Sequence, residues 1–99
     1  MNDTDRKVIH KVVYNSTYGN FRLPSRILEI MNCGIDEISR HDPFFVSLVE
    51  DHLNSLSNRE KFHSELKVYN LKYGNKYMID EYDGKETVLE PEDLIWEII

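Results

Sequence analysis

Cysteine is nearly missing from this chain. Cys33 stands alone among 99 residues, which excludes an internal disulfide and suits a reducing compartment such as the cytoplasm. No apolar run is longer than a few residues, so no segment reads as a membrane span. The opening Met1-Asn2-Asp3-Thr4-Asp5-Arg6 is polar and acidic, unlike a secretory leader. Bases are scarce near the end: between Asp80 and Glu97 eight acids face one base, Lys85, which gives −7 there and leaves about +1 for the rest of a chain whose net charge is −6. A duplex-DNA surface needs a basic face, so duplex DNA is not an expected partner. No Walker, Gly-x-Ser-x-Gly or dinucleotide fingerprint occurs, and no cofactor is implied. His41, His52 and His63 have no closely spaced His or Cys mate, and the acids around Gly84 do not match a calcium loop, so no metal is expected either.

The chain does hold one domain's worth of apolar residues, 40%, with 11% aromatic. Residues 1–6 read as a frayed tail and 7–99 as a single domain. A homodimer is a natural way for so small a domain to add burial. Val8 to Tyr14 alternates, with β-branched or aromatic residues on both sides, and predicts a central strand covered on both faces. Asn15 to Phe21 is a loop. Pro24 opens a helix whose Ile27, Leu28 and Met31 share a stripe, and Gly34 suits its left-handed end. Asp42-Pro43 starts a second helix carrying Val46, Val49, Leu53 and Leu56. The polar stretch Ser57 to His63 predicts a mobile surface loop. Strands follow at 66–71, 76–82 and 85–89, joined by turns at Gly74-Asn75 and Asp83-Gly84. After a turn at Pro91-Glu92-Asp93, the alternation of Leu94, Trp96 and Ile98 suggests a last strand, or else a short helix. The expected class is α+β: two helices packed on one face of a three- to five-stranded, mainly antiparallel sheet, in the order β-α-α-β-β-β.

Three stretches can carry chemistry. Arg40-His41-Asp42 stands at a helix start, where free amides and the dipole attract anions, and Arg22 and Arg26 surround the first helix start in the same way. The plainer reading is that Asp42 caps, Arg40 pairs with an acid and His41 packs. In the loop Tyr18-Gly19-Asn20-Phe21, Gly19 tolerates positive φ while Tyr18 and Phe21 face a ligand or pin the turn to the core. The acidic rim Asp80, Glu81, Asp83 and Glu86 reads mainly as a solvated turn, with cation or acid–base work as the sharper alternative.

Together, Tyr14, Tyr18-Gly19-Asn20-Phe21, Arg40-His41-Asp42-Pro43 and Glu81-Tyr82-Asp83-Gly84 resemble, in the same order, the motifs of a family of small proteins from tailed phages and giant DNA viruses. Asn20 stands where that pattern has a second glycine. The resemblance spans roughly Val8 to Ile99. It implies a viral origin, a shared fold and a place in the cytoplasm of an infected host cell, and it carries no activity. The leading functional expectation is a non-enzymatic protein binding a phosphate-bearing ligand such as a nucleotide. Arg40 with Arg22 or Arg26 would hold phosphate, His41 would donate, Tyr18 or Phe21 would stack, and Glu81 or Asp83 would orient the arginine or accept from a ribose. A module binding a host protein is the second expectation. A small phosphoester hydrolase using His41 with Asp42 or Asp83 is the third.

Overall fold

Val12 and Val13 are adjacent in one strand and both are fully buried. Adjacent strand residues point to opposite faces, so β1 (Lys11–Asn15) is a wall between two apolar clusters. Val13 faces Ile27, Ile38, Phe45, Val46, Val49 and Leu66, while Val12 faces Leu71 and Val88. The computed structural model describes residues 9–93. The expected tail at 1–6 and terminal strand at 94–98 lie outside them.

The first cluster is a helical layer on a strand pair. α1 (Ser25–Met31) contributes Ile27, and α2 (Pro43–Asn54) contributes Phe45, Val46 and Val49. The apolar positions of α2 recur at helical spacing, so one stripe meets β1 and its partner β2 (Leu66–Asn70). Burying Phe45 alone is worth roughly 1.5–3 kcal/mol. Asp42 caps α2 by accepting from the Phe44 and Phe45 amides at 2.8 and 3.1 Å, with Pro43 in the first turn. The half-buried Cys33 packs against the same cluster.

The α+β class holds, with helices on one face of antiparallel strands. Three details differ from expectation. First, the strands form two separate pairs rather than one sheet. β2 pairs with β1, from Lys11↔Asn70 to Asn15↔Leu66, and β3 (Met78–Tyr82) pairs with β4 (Lys85–Leu89). The connection 71–77 is too long for the tight hairpin that Gly74-Asn75 suggested. It is held from the far side by Glu90, which accepts from the Lys72 and Tyr73 amides at 2.8 and 2.9 Å and from the Tyr69 hydroxyl at 3.0 Å. Burial works to raise the Glu90 carboxyl, but these donors and the Lys72 charge outweigh it and leave the group below its ordinary value.

Second, the expected mobile loop contains a third helix, α3 (Asn58–His63). It has no buried face, which is why periodicity missed it. A capping box holds it: Glu60 N donates to Ser57 Oγ, and Ser57 N donates to the Glu60 carboxylate. Third, the left-handed residue ending α1 is Asn32, at φ 53°, and not Gly34, whose φ is −70°. Asparagine tolerates this conformation better than most residues.

Candidate functional site: the loop–hairpin junction

The hairpin turn Asp83-Gly84 has φ of +50° and +87°, the signature of the tight turn that matches strand twist. It leans on the loop after β1. Gly19 N donates to the Asp83 carbonyl at 2.9 Å. Buried Asn15 uses its side-chain amide to donate to both the Gly19 and Gly84 carbonyls, at 3.1 and 2.8 Å. Gly84 lies so close to Gly19 that a Cβ on it would overlap the Gly19 carbonyl. Gly84 is therefore demanded by the approach of two backbones as well as by its turn, whereas a Cβ on Gly19 would meet open space and only its φ of +109° favours glycine there. Above this clamp the Tyr18 ring meets the Tyr82 ring edge-on at 6.5 Å, and the Lys85 ammonium stands 5.5 Å from the Tyr18 ring.

Behind the junction, Arg40 is fully occupied. Its Nη1 and Nη2 donate to the two Glu86 oxygens at 2.6 and 3.0 Å, Nη1 also reaches the Val13 carbonyl at 3.3 Å, and its Cζ sits 3.5 Å over the Phe21 ring. The Arg40 carbonyl accepts from Val13 N at 2.9 Å, and Glu86 accepts from Asn15 N at 2.8 Å. The edge of β1 away from β2 is thus closed by one ion pair and one backbone carbonyl, where another strand would otherwise pair. β1 is covered on both faces as expected, but it is not the central strand expected: among the described residues it pairs with β2 alone, and side-chain and carbonyl groups stand where a second strand would.

Tyr18, Gly19, Phe21, Arg40 and the Asp83 backbone are brought together, as the distant motifs suggested. The roles differ from expectation. Glu86, not Glu81 or Asp83, holds Arg40. Glu81 accepts from Gly84 N at 2.8 Å and so stabilises its own turn. His41 Nδ1 lies 2.6 Å from the Tyr77 hydroxyl, and the Ser39 hydroxyl sits near both ring nitrogens. Burial pushes the Tyr77 hydroxyl up, with the Arg40 charge pulling partly against it. The Asp42 carboxylate serves the helix cap, so His41 and Asp42 do not form an acid–base pair.

Arg22 and Arg26 belong elsewhere. Arg26 lines a hollow of about 240 Å³ and Arg22 an open depression of about 310 Å³. Pro24 and His52 border both. Neither arginine makes an ion pair among the described residues.

Asn15, Glu86, Tyr82 and Lys85 are junction residues that the expected site did not include, although Glu86 stood in the acidic rim and Tyr82 in the Glu81–Gly84 motif. One signal was available for Glu86. It alternates with Val88 on β4, so if Val88 faces inward, Glu86 must as well, and a buried acid requires a partner. Among the described residues every buried side-chain nitrogen and oxygen has a hydrogen-bond partner, no group of three His, Cys, Asp or Glu residues could hold a metal, and no helix is long and apolar enough to cross a membrane. Comparisons with protein-family models, with curated proteins and with solved structures return no match. The likeness to small viral proteins rests on the quoted motifs alone.

Proposed function

We propose that this chain is a non-enzymatic interaction module that holds a partner protein at the loop–hairpin junction. The observation that carries this reading is a pair of exposed aromatic rings on a stiff base. Tyr18 is 62% and Tyr82 71% exposed, the two rings meet edge-on, and the backbone beside them is tied down by Asn15 and by the Gly19–Asp83 hydrogen bond. Rigid, solvent-facing tyrosines are the side chains that anchor protein interfaces, because they bring large area at little entropic cost. Capture from a lysate onto the immobilised protein tests it. A protein retained by wild type and by Phe62→Ser, which alters an exposed ring on α3, but lost with Tyr18→Ser/Tyr82→Ser, is the expected result. Equal capture by all three, or none by any, would sink the proposal.

A second reading, binding of a phosphate-bearing ligand such as a nucleotide, draws its support from the hollows near Pro24, where Arg22, Arg26 and His52 gather without ion pairs. Thermal unfolding against a panel of nucleotides and sugar phosphates tests it. A ligand at one hundred times its dissociation constant adds about 2.7 kcal/mol. Under this reading the shift disappears in Arg22→Ala/Arg26→Ala.

A further inference from the structure

The β3–β4 hairpin leaves one strand edge and one face unpartnered among the described residues. β4 lies toward β1, where Val88 packs on Val12 and Glu86 reaches Asn15. Among the described residues β3 pairs with β4 alone. In a two-residue hairpin the residues flanking the turn exchange both ladder bonds, and every second pair repeats this. Tyr82↔Lys85, Asp80↔Thr87 and Met78↔Leu89 are therefore the bonded pairs, and the backbone groups of Ile79 and Glu81 point to the outer edge. Ile79 packs against the cluster of Val12, Leu71 and Val88, so Met78, Asp80 and Tyr82 share the opposite, outer face. All three are exposed, Met78 at 55%. At the Met78 end the face opens into an apolar hollow of about 160 Å³ walled by Tyr77, Met78, Leu89 and Pro91.

We propose that the outer edge of β3 is a docking site for an extended, basic segment of a partner protein, which adds as a strand beside β3. This deepens the interaction-module reading and rests on it. The charge of the edge selects the occupant. Asp80 is the acid on the outer face of β3 and makes no ion pair among the described residues, while the bases Lys76 and Lys85 stand at the two ends, so the charge to be met lies at the middle of the strand. In a second copy of the chain, registers centred on Asp80 or Glu81 set acid against acid, and of the three central registers the one centred on Ile79 alone avoids this. Strand addition draws affinity from the main chain and specificity from alternate side chains. The partner presents an apolar residue to the hollow by Met78, a lysine or arginine two residues on against Asp80, and a third side chain over Tyr82.

Amide hydrogen exchange on the full chain tests this, with three eight-residue peptides that carry on one strand face a valine and, two residues on, a lysine, a glutamate or a serine, with threonine at the intervening positions. The lysine peptide should slow exchange at Ile79 and Glu81 and should bind roughly ten-fold tighter than the glutamate peptide, since like charges placed directly opposite across strands disfavour pairing. Asp80→Lys should reverse the preference. Retained lysine preference in Asp80→Lys would overturn the proposal, as would protection spread elsewhere. Slow exchange at Ile79 and Glu81 in the free protein would show the edge already covered. If that appears only as concentration rises, together with dimers in sedimentation, the occupant is a second copy. Partner capture that depends on Tyr18 and Tyr82 but is not competed by the lysine peptide would refute the β3 edge and leave the broader reading standing. Loss of both would refute both.

Discussion

Breaking the Arg40–Glu86 pair should be among the most damaging conservative changes available in this chain. The Glu86 side chain is 8% exposed and that of Arg40 22%, and Glu86 serves two donors, Arg40 and the Asn15 amide. Glu86→Gln keeps the shape but turns one acceptor into an NH2 facing a guanidinium. Arg40→Met leaves the carboxylate with only the Asn15 amide, frees the Val13 carbonyl and removes the charge over Phe21. Removing one partner of a buried pair costs about 3–5 kcal/mol, and the partial exposure of Arg40 lowers that to roughly 2–3 kcal/mol for either change. At 4–8 °C per kcal/mol, Tm should fall by about 10–20 °C. Arg40→Met/Glu86→Gln leaves no unpaired charge and should cost less than the sum of the singles, with a coupling of about 2 kcal/mol in a double-mutant cycle. Urea unfolding followed by circular dichroism measures all four proteins. Single losses below about 0.5 kcal/mol, or additivity in the double variant, would refute the claim that this pair closes the β1 edge.

Gly84→Ala should cost about 3 kcal/mol or more, because it meets the Gly19 carbonyl and adopts positive φ, whereas Gly74→Ala, at φ +142° in open space, should cost only its backbone strain of about 1–2 kcal/mol; thermal unfolding compares them. Because the folded Glu90 carboxyl is held below its ordinary value, its contribution is complete above the unfolded glutamate range and disappears as pH falls through the folded value. Urea midpoints of wild type and Glu90→Gln should therefore differ at neutral pH and draw together as pH falls below the ordinary glutamate range; a constant gap would contradict the assignment. Ser57→Ala removes half of the capping box and should weaken α3 by roughly 1 kcal/mol. Since no α3 residue is buried, amide exchange over 60–63 should quicken while global Tm barely moves.

The local elements were legible in the sequence because their causes are local. Asp42-Pro43 carries its own cap and helical φ, Asp83-Gly84 its own positive φ, and the spacing of Val46, Val49 and Leu53 its own stripe. α3 was legible too, through Ser57 and Glu60, but only to a reading that weighs a cap without an apolar face. The convergence of the Tyr18 loop, Arg40 and the Gly84 turn was anticipated from motifs at loop tips, although the roles of their side chains were not.

What tertiary structure alone decided were the choices among equivalent partners. β2 can pair with β3 nearby or with β1 more than fifty residues earlier, and alternation is the same in both. The outcome depends on which face meets α2 and on Glu90 holding the connection open. Arg40 had several acids within the motifs, and Glu86 won because β4 turns it toward the unfilled edge of β1. Arg22 and Arg26 share the arginine chemistry of Arg40 but border other hollows, since the loop after Phe21 carries them to the far end of α2. Spacing in a sequence sets which way a residue points within its own element. Only the packing of elements sets what stands opposite, and in this chain that difference separates a free anion site from an arginine already held by Glu86.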